Sequence, residues 1–163
     1  MSPEQVVVDV GCGPGLYRDA TPGRYVGVDS SPSSYGAQPD VVATAEDLPF
    51  ADASVDVLFT LSAFYQFADP ARALVEFRRV LEPGGRLLLF DYNRRAQRRL
   101  ERVEGSPRPK WTAVGLRRLV AHAGFRQARL LLPQTGQPTG VRRLAALISE
   151  ELRGQWAIVT AIR

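Results

Sequence analysis

Two rhythms of apolar residues alternate along this chain. In the first, apolar positions run on with little polar interruption, as in Val6-Val7-Val8-Asp9-Val10 and Leu87-Leu88-Leu89-Phe90. Such runs suit strands buried on both faces of a parallel sheet. Strands are expected at 5–10, 25–28, 40–44, 55–60, 86–90, 125–132 and 155–162, with 86–90 central. In the second rhythm the spacing is helical. Leu74, Phe77 and Leu81 share a face, with Arg72, Glu76 and Arg79 mostly elsewhere. Asp69 is placed to cap that helix and Pro70 to open it, and Pro83-Gly84-Gly85 to stop it.

A second helix follows the same logic. Thr112 is the expected N-cap, Trp111 and Leu116 have the spacing of a hydrophobic staple, and Leu116, Leu119, Val120 and Ala123 form the stripe that Gly124 ends. Helices are also expected at 93–103 and at 141–152, the latter with Leu144, Leu147, Ile148 and Leu152 on one face. Strand, loop or helix, strand is the order of an α/β domain with a mostly parallel sheet. Two connections are stunted. Residues 16–20 leave room for one or two helical turns before Thr21-Pro22-Gly23, and the stretch from Ser30 to Gly36 is short and rich in turn residues.

Composition narrows the class. At 163 residues, 45% hydrophobic and 23% charged, the chain reads as one soluble globular domain. No apolar run approaches the ~20 residues of a membrane span, and residues 1–10 lack the pattern of a signal peptide. Cys12 is the only cysteine, so a reducing, cytoplasmic setting is expected. The net charge of +4 is uneven: residues 94–110 hold seven basic and two acidic residues, net +5, which leaves −1 for the rest. Arg94, Arg95, Arg98, Arg99 and Arg102 could steer an acidic or phosphorylated substrate, or could form a solvated helix face. With only Tyr92 interleaved, stacking on nucleic acid is disfavoured.

The candidate chemistry lies where strands end. After Val10 comes Gly11-Cys12-Gly13-Pro14-Gly15, and after Val26-Gly27-Val28 comes Asp29. Glycines let backbone lie against a ligand, and a carboxylate one strand later is the natural bidentate acceptor for a ribose. The glycine spacing differs from G-x-G-x-x-G and the following helix is short, so a nucleoside without phosphate is favoured over a dinucleotide. Ser30 can assist through its amide or hydroxyl. In Glu46-Asp47-Leu48-Pro49-Phe50 the acid can accept from an adenine amine and the Leu48 amide can donate to a ring nitrogen, although an Asp–Leu–Pro turn explains that stretch equally well.

Together these segments resemble the class I S-adenosylmethionine-dependent methyltransferases, of the methyltransferase-domain-11 type. The resemblance runs from Val8-Asp9-Val10-Gly11-Cys12-Gly13-Pro14-Gly15 through Gly27-Val28-Asp29-Ser30, Ala45-Glu46-Asp47-Leu48-Pro49-Phe50 and Val55-Asp56-Val57. It continues through Arg79-Val80-Leu81-Glu82-Pro83-Gly84-Gly85-Arg86 to Ala123-Gly124-Phe125. It implies a Rossmann-like open sheet of seven strands in the order 3-2-1-4-5-7-6, the last antiparallel, with S-adenosylmethionine over the ends of strands one and four. It also implies roles. Gly11, Cys12 and Gly13 pass under the methionine and ribose, while Asp9 helps anchor that loop and the amino end. Asp29 holds the ribose with Ser30 beside it, Asp47 and Leu48 read the adenine, and the Thr60 carbonyl receives the ammonium.

This sequence departs from the family after strand four, at its start and in the shortened connections flanking strand two. Tyr65-Gln66 stands where relatives often carry histidine, so no catalytic residue is assigned. Tyr65 and Asp91 are candidates to line the acceptor side. The given sequence starts almost at strand one, so residues 1–163 are expected to form a single methyltransferase-like domain without the usual N-terminal lid helices. A partner subunit, as in a homodimer, or the 141–152 helix is then expected to cover the exposed face.

Cys12 has no basic neighbour and reads as packing, His122 reads as a surface residue, and no Cys, His and acid cluster suggests a metal. Three functions compete: methyl transfer to a small-molecule acceptor, a non-catalytic adenosyl-binding partner or regulatory module, and, least favoured, a NAD-linked oxidoreductase.

Overall fold

The computed structural model describes residues 3–32, 36, 38–92, 111–130 and 156–163. Seven strands form one sheet: β1 (Val6–Val10), β2 (Arg24–Asp29), β3 (Val41–Val42), β4 (Val55–Leu61), β5 (Leu81–Tyr92), β6 (Arg126–Leu130) and β7 (Trp156–Ile162), in the order β3-β2-β1-β4-β5-β7-β6. β1 runs parallel to β2 and β4, and β4 to β5, while β7 lies antiparallel between β5 and β6. That is the expected architecture. The candidate helices at 93–103 and 141–152 and the basic 94–110 stretch lie outside the described residues.

The valine run of β1 does what its pattern implies. Val8 and Val10 pack with Leu58, Leu87, Leu89 and Val159 on one face of the sheet. Val7 packs with Phe59, Leu88, Phe90 and Ile158 on the other, with Tyr17 and Tyr25 against them. Two helices cover the first face. In α1 (Pro70–Val80), Asp69 accepts from the Ala71 and Arg72 amides, and Leu74, Phe77 and Val80 are buried. In α2 (Ala113–His122), the Thr112 hydroxyl accepts from the Gly115 amide, and Leu116 and Val120 are buried. Each fully buried Leu or Phe contributes roughly 1.5–3 kcal/mol over an exposed one, so these few side chains dock the helices.

Three boundaries differ from expectation. Leu81 leaves α1 and starts β5, pairing with Val55, and the register resumes only at Val57 with Arg86. Pro83-Gly84-Gly85 is therefore an excursion within the strand, and a side chain at Gly85 would sit 2.9 Å from the Glu82 carbonyl oxygen. β3 keeps only two paired residues because the Asp40 carboxylate turns back to the Gly27 amide and Arg18, and the Thr44 carbonyl accepts from the Asp47 amide. Residues 11–20 form successive turns (Gly15 N–H to Cys12 O, Arg18 N–H to Gly15 O, Thr21 N–H to Arg18 O) rather than an α-helical turn.

Candidate functional site

The carboxyl ends of β1, β2, β4 and β5 meet at one edge of the sheet. The loop after β1 is bent by Gly11, Gly13 and Gly15, all at positive φ (77°, 51° and 71°). The Gly11 and Cys12 amides both donate to the Val28 carbonyl, at 2.8 and 3.0 Å, which ties this loop to the end of β2. Gly11 also abuts the bend after β4: a Cβ there would lie 2.3 Å from Ala63 Cβ. At Gly13 the corresponding direction is open.

Asp29 secures the loop from the other side. Its Oδ2 accepts from the Gly13 amide and its Oδ1 from the Ser31 amide, both at 2.9 Å. An ionised carboxylate has about four acceptor positions, so each oxygen keeps capacity for a further donor. Ser30 is exposed beside it.

Asp9 and Leu48 also have hydrogen-bond partners within the fold. The hydroxyl of Tyr25 donates to Asp9 Oδ2 at 2.8 Å, so Asp9 holds a tyrosine while Asp29 and the Val28 carbonyl anchor the glycine loop. Strand alternation explains this, because Val8 and Val10 point to the helix-covered face and Asp9 to the face carrying Tyr25. Burial pushes the Asp9 carboxyl up to about 7, opposed by the Tyr25 hydrogen bond and reinforced by the Asp29 charge. The Leu48 amide, offered by sequence to an adenine, donates to Glu76 Oε2 at 3.1 Å. Asp47 beside it is exposed.

The 46–50 loop is held by α1. Arg79 donates to the Leu48 and Phe50 carbonyls, each at 2.9 Å, and pairs with Glu76 and Asp52. The Asp69 amide donates to Glu46. Sequence reading placed Glu76 and Arg79 on a polar helix face. Their partners lie some 27 to 31 residues away, beyond any local signal. An outer brace joins the β1–β2 connection to the residue before β3: Arg18 pairs with Asp40 at 2.7 Å and lies 4.5 Å over the Tyr25 ring of β2.

Cys12 is buried, and burial, together with Asp9, Asp29 and Asp40, pushes its thiol up to about 12. It is a neutral packing residue near neutral pH. His122 is exposed, with Nδ1 2.7 Å from the Arg118 carbonyl oxygen. Among the described residues no group of His, Cys, Asp and Glu could hold a metal ion.

The end of β4 carries more polarity than its burial suggests. Thr60 is fully buried, and its Oγ1 has no hydrogen-bond partner among the described residues. Ser62 then takes φ 59°, a left-handed conformation rare for a residue with a side chain, and its amide donates to the Phe90 carbonyl at 2.9 Å. A 3₁₀ turn, Phe64–Gln66, follows, in which the Tyr65 ring meets Tyr92 edge-on at 5.2 Å. Asp91, at the end of β5, is fully buried. Ser62, Ala63, Tyr25 and the Glu76–Arg79 pair were not singled out from the sequence.

A family model described as a methyltransferase domain matches residues 8–89, about half of the chain. An uncharacterized methyltransferase of Mycobacterium tuberculosis is 40% identical over 102 residues, covering 56% of this chain and 41% of that protein. Malonyl-[acyl-carrier protein] O-methyltransferase 1 of Coxiella burnetii is 42% identical over 91 residues, covering 52% of this chain and 32% of that protein. The chain thus spans well under half the length of these curated relatives. Among solved structures, the complex of the Haloferax volcanii Trm112 methyltransferase activator with a methyltransferase superposes with TM-score 0.75 at 27% identity, covering 99% of this chain and 83% of that one. With the strand order, the glycine loop and Asp29 in place, the chain belongs to the methyltransferase domain family, among the class I S-adenosylmethionine-dependent methyltransferases.

Proposed function

We propose that this protein binds S-adenosylmethionine at the ends of β1, β2 and β4 and transfers its methyl group to a small-molecule acceptor. One observation carries the reading: Asp29 holds the Gly13 amide and still has acceptor capacity toward a ribose diol. The donor set suits an adenosyl compound. Gly11, Cys12 and Gly13 give a bare, bent backbone, with open space where a side chain at Gly13 would be. Asp29 and Ser30 face the ribose, and Asp47 the adenine, with buried Leu48 as its wall. The Thr60 carbonyl and Asp9 serve the methionine end.

When bound, the sulfonium supplies an activated methyl group, so the chain's main task is to place acceptor and donor in line. The Arg79–Glu76 brace fixes the adenine loop, and the left-handed Ser62 aims the 3₁₀ turn with Tyr65 toward the acceptor side. An acidic acceptor would draw on the 94–110 basic stretch.

Calorimetry against S-adenosylmethionine, S-adenosylhomocysteine and NAD tests the cofactor, with binding of the first two and not the third expected. Turnover of a labelled methyl group over a metabolite panel then tests catalysis. Binding without turnover would favour the second reading, an adenosyl-binding partner or regulatory module. The Haloferax neighbour, solved with an activator, and the exposed Leu16 (75%), after β1, and Val42 (56%), on β3, keep a partner, or a second copy of this chain, within the proposal.

A further inference from the structure

We infer that Asp91 Oδ2 receives the proton of the methyl acceptor, which makes that acceptor an amine or a hydroxyl compound. The inference rests on the methyl-transfer reading above and deepens it. Asp91 is fully buried, and only one of its oxygens is satisfied. Oδ1 accepts from the Tyr92 amide at 2.7 Å, the Tyr65 main chain also hydrogen-bonds to the carboxyl, and Oδ2 has no hydrogen-bond partner among the described residues. Asp29, by contrast, takes a backbone amide on each oxygen. Leaving a buried polar atom without a partner costs about 1–3 kcal/mol, so the open oxygen calls for a donor that the described residues do not supply.

Its place indicates the donor. In the parallel β4–β5 register Thr60 pairs with Leu89, so Asp91, two residues further along β5, lies on the same face of the sheet as Thr60. Thr60 Oγ1 is the second buried polar atom there without a partner among the described residues. The Ser62 amide bonds the Phe90 carbonyl, and Gly11 packs on Ala63. The end of β5 therefore adjoins the bend that touches the glycine loop. Tyr65 and Tyr92 flank Asp91 with their rings in edge contact.

The step balances as follows. A lone pair on the acceptor nitrogen or oxygen forms the new bond to the methyl carbon, and the S–C bond breaks with its electron pair left on sulfur. The acceptor's N–H or O–H bond breaks, an O–H bond forms on Asp91 Oδ2, and the proton passes to water as product leaves. Burial also pushes this carboxyl up to about 7, where it can take and release a proton near neutral pH.

Binding tests this without knowing the acceptor. Sinefungin carries an ammonium group where the cofactor carries its sulfonium methyl, so it presents N–H donors on the acceptor side. The wild-type protein should bind sinefungin at least ~10-fold more tightly than S-adenosylhomocysteine, in line with a hydrogen bond to a charged group. Asp91→Asn should abolish that preference while keeping S-adenosylhomocysteine affinity within ~2-fold. Equal wild-type affinities overturn the inference whether or not the variant folds, as does a preference that survives in Asp91→Asn. Failure of S-adenosylhomocysteine to bind at all would instead remove the methyl-transfer reading itself.

Discussion

Gly11→Ala probes the joint between the glycine loop and the end of β4. Gly11 sits at φ 77°, and the left-handed region costs an alanine about 1–2 kcal/mol. Its new Cβ would stand 2.3 Å from Ala63 Cβ, whereas carbon atoms rest at about 3.5–4.0 Å. Both neighbours are backbone-borne, so the loop or the bend must shift, and overpacking of this kind costs about 1–3 kcal/mol. The sum is about 2–5 kcal/mol, or roughly 4–20 °C in Tm for a domain of this size. Urea unfolding followed by circular dichroism measures it. Ala63→Gly separates the two parts, because it removes the clash and leaves the backbone strain. The double variant should be more stable than the sum of the single changes predicts by about 1–3 kcal/mol, the steric share. If the two changes add within ~0.5 kcal/mol, the packing of Gly11 on Ala63 is refuted as the reason for glycine there.

Asp29→Ala should weaken S-adenosylhomocysteine binding by ~1–3 kcal/mol in calorimetry, since it removes the proposed ribose acceptor and frees the Gly13 amide; unchanged affinity would sink the ribose assignment. Arg79→Met should cost roughly 2–3 kcal/mol, mainly through the Leu48 and Phe50 carbonyls, because its pairing with the 75% exposed Asp52 contributes little. Hydrogen exchange should quicken at the Leu48 amide, and unchanged protection would mean α1 does not hold the 46–50 loop. For pH, Asp9 and Asp91 are both raised from 3.8 to about 7. The folded state thus binds more protons than the unfolded chain between these values. Their stabilising effect is complete below about pH 4 and lost as pH rises through about 7, up to about 4 kcal/mol for each. Stability should fall from pH 5 to pH 8, and less steeply in Asp91→Asn; an equal slope would place Asp91 outside a desolvated site. Asp40 and Glu76 carry the opposite sign, since hydrogen bonds and ion pairs lower them, and they act only at more acidic pH.

What the sequence determined by itself was whatever neighbouring residues can decide. Val6-Val7-Val8 needed two buried faces, Asp69-Pro70 and Thr112 opened their helices, and the glycines after Val10 forced a bent loop followed, one strand later, by a carboxylate. These are local conformational preferences, expressed within a turn or a strand. Tertiary structure decided which groups share a hydrogen bond. It gave Tyr25 to Asp9, the Leu48 amide to Glu76 across 28 positions, and the Gly13 amide to Asp29 across 16. It set Gly11 against Ala63 and left Asp91 with one oxygen unmatched among the described residues. No periodicity records such pairings, because they arise only when the sheet brings distant strand ends to one edge and burial removes water as the alternative partner.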